Sequence, residues 1–374
     1  MNKIFAKVFL ILSTFLLIYT FYRSEIYWNG EKRDFYITYY IISLTLIVFA
    51  ILLFFLNQKI NEYLTISLIS FFIGLYLCEG YLTFKNNFIY IEETKKNYDT
   101  RKKIEIYNDL SKVYKNVNLY SANGNDLDKV SDLVVLGNIS HSKLIMCNEL
   151  GYYAIHDTDR YGFFNPDAIW DKKEIDYLLI GDSFTAGACV NKPNDIASIL
   201  SNLSNKSVLN LGQGGNGPLL EYATLREYSK SNVKKILWIY CDGNDLINLE
   251  NELQNEILKK YLNNLNFSQK LKIKQNIIND LIKSKINNAI ENYDNNNFFK
   301  LNKTRTILNK FLPQTIKPYQ IQNISQPQPQ FKKILDLAKN YAIKNNAKLY
   351  FIYLPTIEQY EKNYVGSYLH IKKL

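Results

Sequence analysis

Histidine and cysteine, the residues that most often bind transition metals, are scarce in this sequence. The chain has 374 residues, of which three are histidine and four are cysteine. No two cysteines stand in the CxxC spacing that zinc sites commonly use. We therefore expect neither a metal nor another cofactor.

The sequence also lacks a basic stripe of the kind that binds nucleic acid. Its formal net charge is +10, but lysine and arginine are scattered through Asn- and Ile-rich helical segments. They are not interleaved with stacking aromatic residues. This distribution favours a solvated surface or contact with anionic lipid, and we expect no nucleic-acid partner.

Three long apolar runs fill the first 84 residues, namely Ile4–Tyr22, Phe35–Leu56 and Leu64–Phe84. About 20 helical residues cross the hydrocarbon core of a bilayer. Each run therefore predicts a transmembrane helix, with residues 1–84 as a membrane domain and the lipid bilayer as a partner. No small-residue cleavage site follows the first run, which indicates an uncleaved anchor. The third run carries Glu79, which we expect at the membrane interface.

The rest of the chain predicts a connector and an α/β domain. Residues 85–145 begin as a polar, charged stretch, typical of a stalk. Within residues 146–374, short apolar segments alternate with helical patterns, which predicts a parallel sheet. Residues 247–330 are rich in Asn, Gln and Lys and predict a helical insertion. The predicted strands are Ile175–Ile180, Ser207–Leu211, Ile236–Tyr240 and Lys348–Leu354.

The sequence GDSFTAG, Gly181–Gly187, directly follows the first of these strands. A buried strand that leads through Gly-Asp-Ser into a helix places the Ser183 hydroxyl at the carboxyl edge of the sheet. Open α/β sheets have their sites at that edge. An ordinary turn with serine as the helix N-cap would give the same tripeptide, so GDS alone leaves both interpretations open.

Two further polar turns follow the next two strands, NLGQGGNGP at Asn210–Pro218 and GND at Gly243–Asp245. Together the three motifs resemble the conserved blocks of the SGNH (GDSL-type) hydrolase family. The surrounding segment Cys147–Asp171 is similar to a bacterial membrane-anchored subgroup. The resemblance implies a flavodoxin-like three-layer parallel sheet preceded by the transmembrane helices.

The same resemblance implies the roles of three site residues. Ser183 would be the catalytic nucleophile. The N–H of Gly215, the side chain of Asn244 and the N–H of Ser183 itself would form the oxyanion hole.

The family's catalytic histidine lies in a C-terminal DxxH motif, which this sequence does not contain. His141 and His156 precede Ser183, and His370 has Ser367 three positions before it. We expect the sequence to stop before the last strand and the DxxH loop of a C-terminally incomplete SGNH fold. Without a base the serine is hardly activated, so activity should be weak or absent.

Two functions remain open on these grounds. The first is a membrane-anchored serine esterase or O-acyltransferase that acts on acyl esters of cell-envelope glycan through an acyl-serine intermediate. The alternative is a catalytically inactive SGNH scaffold in the envelope, with a binding or assembly role. The missing base favours this second function.

Two features of the sequence predict opposite membrane orientations for the soluble part. Basic residues in the loops favour a cytoplasmic domain, whereas Lys3 and Lys7 at the amino end of the first apolar run favour an extracytoplasmic one. Cys147 and Cys189 flank the motif turn and could form a disulfide in an oxidising compartment, although two free buried thiols fit equally well. We predict a multi-pass bacterial membrane protein with an extracytoplasmic domain and a Cys147–Cys189 disulfide.

Overall fold

The chain forms two compact units, each of which is built from two separate stretches of sequence. The computed structural model describes residues 3–30, 33–94, 98–122, 133–291, 301, 303–305, 307 and 328–355. The first unit comprises Met1–Ile89 and Asp294–Gln320, and the second comprises Tyr90–Tyr293 and Ile321–Leu374. The first unit is therefore built from two separate stretches of chain.

Three helices at the amino end of the chain are long and apolar enough to cross a membrane. They are α1 (Ile4–Phe21, continued by a π-helical turn at Tyr22–Tyr27), α2 (Arg33–Leu53) and α3 (Gln58–Thr94). Their candidate spans have mean hydropathies of 1.8, 2.2 and 1.5. Large apolar side chains such as Phe15 and Leu77 are exposed on them, as lipid contact requires. The predicted apolar runs are thus confirmed as helices, and they support membrane association.

Glu79 of α3 joins the two stretches of the first unit. Its side chain is only 1% exposed. Its carboxylate accepts the backbone N–H of Lys303 at 3.0 Å, and the N–H and hydroxyl of Thr304 at 2.7 and 2.8 Å. Residues 303–305 are helical, so the carboxylate lies where free N–H groups favour a negative charge. Glu79 is therefore hydrogen-bonded to a second segment of the chain, which the sequence did not predict. Its position at the membrane interface stays a prediction.

The second unit begins with a helix and a small mixed sheet. Helix α4 (Lys103–Val113) precedes β1 (Val117–Leu119), β2 (Lys143–Ile145) and β3 (Ile155–Asp157). Strands β1 and β2 pair in parallel, and β2 and β3 pair antiparallel.

A four-stranded parallel sheet forms the centre of this unit. Its strands are β4 (Ile175–Gly181), β5 (Val208–Asn210), β6 (Val233–Cys241) and β7 (Lys348–Leu354), in the order β5-β4-β6-β7. The continuous apolar run of β4 suits a strand that is covered on both faces. The predicted α/β class with a parallel sheet is confirmed.

Helices between and after the strands complete the core. They are α5 (Ser183–Ala186), α6 (Ile196–Ser204), α7 (Pro218–Tyr228), α8 (Asp245–Glu252), α9 (Glu256–Asn263), α10 (Gln275–Glu291) and α11 (Pro329–Lys344). Leu249, Tyr261 and Ile282 of the helical insertion are buried in the same cluster as Trp238 of β6. The described helices of the insertion thus pack on the sheet.

Candidate active site

Ser183 begins a single-turn helix at the carboxyl end of β4. Asp182 caps this helix, and its carboxylate accepts the Phe184 N–H at 2.9 Å. Gly181 has a φ of +154°, and a Cβ there would lie 2.0 Å from Thr185 Oγ1. Glycine is therefore required for the tight turn. Ser183 is half-buried, and its hydroxyl makes no hydrogen bond to another described residue.

The second glycine-rich turn is fastened to the first by hydrogen bonds. The Asn210 amide donates to the Thr185 carbonyl at 2.7 Å, and the Gln213 N–H donates to the Gly181 carbonyl at 3.2 Å. Gly215, further along this turn, has a φ of +83°, a left-handed conformation that favours glycine. The two turns therefore form one connected structure at the sheet edge.

The third turn joins the site through Asp182. Asn244 precedes α8, and its amide nitrogen lies 3.4 Å from the Asp182 carboxylate, a long hydrogen bond. Ser183 and Asn244 thus lie on neighbouring turns that meet at Asp182. Within the described part of the chain, no hydrogen bond connects Gly215 with either of them. Their roles as nucleophile and oxyanion hole stay predictions.

Carboxyl groups that make no ion pair with any described residue are buried next to these turns. Asp182, Glu221, Asp245 and Glu252 are all 0% exposed. Asp245 accepts the Cys241 N–H at 2.7 Å, and Glu221 accepts the indole N–H of Trp238. This cluster was not predicted from the sequence, although a glutamate inside the apolar PLLEYATL segment is a signal of it.

Burial sets the protonation of these carboxyls. It raises the pKa of Asp182, against hydrogen bonds from Phe184 and Asn244 that lower it. Burial, together with the charge of the neighbouring carboxyls, raises the pKa of Glu221 and of Asp245 well above the usual range. The cluster therefore keeps protons at pH values at which an exposed carboxyl is ionised.

Neither of the two described histidines is hydrogen-bonded to Ser183. His156 of β3 is 1% exposed and stacks on Phe164 with 4.5 Å between ring centroids. Burial lowers its pKa, and neither ring nitrogen makes a hydrogen bond of good geometry with a described residue. His141 is exposed, and its side chain makes no hydrogen bond to Ser183. His370 lies outside the described residues.

A disulfide links the small sheet to the Ser183 turn. Cys147 follows β2 and Cys189 follows α5, and they are bonded with 5.2 Å between their Cα atoms. The predicted Cys147–Cys189 disulfide is thus confirmed. Within the described residues, the candidate group of metal ligands is Cys147, Glu149 and Cys189. Both of its sulfur atoms are used by the disulfide, so neither is a thiolate ligand.

A cavity of about 440 Å³ lies at the amino end of β5, lined by Lys172, Lys192 and Ser207 among other residues. Ser183 lies at the carboxyl end of β4, a neighbour that runs parallel to β5. None of its lining residues belongs to the three turns, but Asn165, which lines it, is hydrogen-bonded to the backbone of Asn210 in the second turn.

No family model matches the chain, and no curated protein or solved structure matches it either.

Proposed function

We propose that this chain is an SGNH-type serine esterase or O-acyltransferase of the cell envelope. The observation that carries the proposal is the Ser183 turn, which follows a buried parallel strand and is hydrogen-bonded to the glycine-rich turn after the next strand. The strand order β5-β4-β6-β7 corresponds to the order 2-1-3-4 of flavodoxin-like sheets. It supports the finer fold assignment.

The proposed chemistry is acyl transfer through Ser183. The serine oxygen attacks the ester carbonyl carbon, and its proton passes to solvent water. The tetrahedral intermediate then breaks its bond to the alcohol oxygen, which takes up a proton from solvent and leaves as the alcohol. Water or a sugar hydroxyl then takes the acyl group from the serine and restores the hydroxyl. The N–H groups of Ser183 and Gly215 and the Asn244 amide would stabilise the oxyanion, each contributing roughly 10²–10³ in rate.

The membrane part and the disulfide support an envelope glycan as the acyl acceptor or ester substrate. Three apolar helices would keep the chain at the membrane where envelope polysaccharide is assembled. The Cys147–Cys189 disulfide favours an oxidising, extracytoplasmic compartment, because cytosolic thiols are kept reduced.

The second candidate function is an inactive SGNH scaffold that binds or assembles envelope glycan. It is favoured by the two described histidines, neither of which is hydrogen-bonded to Ser183. The sequence contains no DxxH, which fits the same function.

A fluorophosphonate probe separates the two functions. We expect the detergent-solubilised full chain to be labelled at Ser183 and to hydrolyse p-nitrophenyl acetate. Ser183→Ala should lose both reactions. Ser201→Ala is the matched control, because it removes a serine hydroxyl away from the three turns. Ser201 lies on α6, and its hydroxyl donates to the Lys206 carbonyl at 2.9 Å. Absence of labelling in the parent would favour the inactive scaffold, and equal activity in parent and Ser183→Ala would exclude Ser183 as nucleophile.

A further inference from the structure

Tyr120 is distant from the second glycine-rich turn in sequence but contacts it directly. It follows β1, and its hydroxyl accepts the N–H of Gly214 at 2.7 Å. The same hydroxyl lies 3.1 Å from Gln213 Oε1 and 3.4 Å from the Gly214 carbonyl oxygen, and it can donate its proton to either. Gly214 immediately precedes Gly215, whose N–H is the proposed oxyanion donor.

The Tyr120 hydroxyl fits closely against the backbone of this turn. A Cβ on Gly214 would lie 2.9 Å from the hydroxyl oxygen, so a side chain at that position would displace one or the other. The Tyr120 ring packs with Phe164, Ala186 and Ala188 in one apolar cluster. Because packing fixes the ring, the hydroxyl is held in place beside Gly214.

Peptide geometry connects this contact to Gly215. The Gly214 carbonyl and the Gly215 N–H belong to one planar peptide group. The Tyr120 hydroxyl accepts the Gly214 N–H and also lies close to the Gly214 carbonyl oxygen. It therefore restricts rotation of the peptide plane between Gly214 and Gly215. Such a restriction matters here because Gly214 and Gly215 both lack a side chain that would limit their backbone angles.

We propose that Tyr120 is a positioning residue of the acyl-transfer site, which orients the Gly214–Gly215 peptide so that the Gly215 N–H faces the developing oxyanion. This inference rests on the proposed function and extends it to a residue outside the three sequence motifs. The contact would act in the transition state, where the oxyanion forms, and not in ground-state binding.

The test compares Tyr120→Phe with Tyr261→Phe in the detergent-solubilised full chain, with p-nitrophenyl acetate as substrate. Tyr261 is a matched control, since its buried hydroxyl donates to Glu227 at 2.6 Å and accepts from Gln269 at 3.1 Å. We expect Tyr120→Phe to lower kcat by about 10- to 100-fold with KM nearly unchanged, because misplacing a donor costs less than the roughly 10²–10³ lost with its removal. Tyr261→Phe should keep kcat.

Amide hydrogen exchange gives a second measurement that does not depend on turnover. Exchange at Gly214 and Gly215 should be faster in Tyr120→Phe than in the parent and in Tyr261→Phe.

Each result supports or overturns the proposal. An active parent with unchanged kcat in Tyr120→Phe would overturn the positioning role and leave the proposed function intact. Equal losses of kcat in both variants would show general loosening and would also overturn it. A parent without turnover or probe labelling would refute the proposed function, and the positioning role with it.

Discussion

Replacing Glu252 by glutamine tests the energetics of the buried carboxyls. Glu252 is fully buried on α8. Its carboxyl accepts the N–H groups of Gly217, Leu219 and Leu220 at 2.5, 2.8 and 3.3 Å, at the start of α7. Burial raises its pKa from 4.5 to about 7, although these three donors lower it.

The sign of the pH dependence follows from this raised pKa. The folded chain binds the Glu252 proton more tightly than the unfolded chain does. Its contribution to stability is therefore complete below about pH 4.5 and is lost as the pH rises through about 7. The difference between these two pKa values corresponds to roughly 3 kcal/mol. Glutamine does not titrate, so Glu252→Gln should lack this loss.

Stability is measured as the Tm of the full chain in detergent at pH 5 and at pH 8. Tryptophan fluorescence reports mainly on the second unit, because two of the three tryptophans, Trp170 and Trp238, are buried in its core, whereas Trp28 belongs to the first unit. At pH 5 the variant should be less stable by about 1–3 kcal/mol, because its amide nitrogen faces a backbone donor. Between pH 5 and pH 8 the parent should lose roughly 6–12 °C more than the variant does.

The matched control for this prediction is Glu250→Gln, which changes an exposed carboxyl on the same helix. Its Tm should follow that of the parent at both pH values. A constant difference in Tm between the parent and Glu252→Gln would refute the reasoning, because it would mean that Glu252 carries the same charge in the folded and unfolded chains.

Two further predictions concern the turn residues and the disulfide. Asn244→Ala should lower kcat by roughly 10²–10³ with little change in KM, since an oxyanion contact forms mainly in the transition state. Steady-state kinetics with p-nitrophenyl acetate measure it, and an effect confined to KM would contradict the assigned role. Thiol alkylation of intact cells, followed by mass spectrometry, should find Cys147 and Cys189 protected and joined. Alkylation of both would argue against an oxidising compartment.

The strands of the large sheet were predictable because each contains a short apolar run next to turn residues. The segment Lys348–Leu354 coincides with β7, and the segment Ile175–Ile180 lacks only the last residue of β4. Strand β6 starts three residues earlier than predicted, at Val233. The prediction missed its first residues because the two lysines after Val233, at the more exposed end of the strand, interrupt the apolar run. The small sheet was missed, since its strands of three residues each are too short to show a period.

The candidate site was predictable only where its residues are adjacent to a strand. The glycines and polar residues of the three turns follow β4, β5 and β6 directly, which brings them to one sheet edge. Tyr120 lies 94 residues before Gly214 in the sequence. Its place depends on the pairing of β1 with β2, and no local pattern near Tyr120 indicates that pairing.

The contact between Glu79 and Thr304 determines how the second unit could be prepared by itself. A chain shortened to begin after α3 would still contain Asp294–Gln320, which belongs to the first unit. In that chain the backbone N–H groups of Lys303 and Thr304 would lose the carboxylate that accepts them, so this segment would lack the partner that it has in the full chain. Isolation of the second unit therefore requires two deletions, residues 1–89 and residues 294–320.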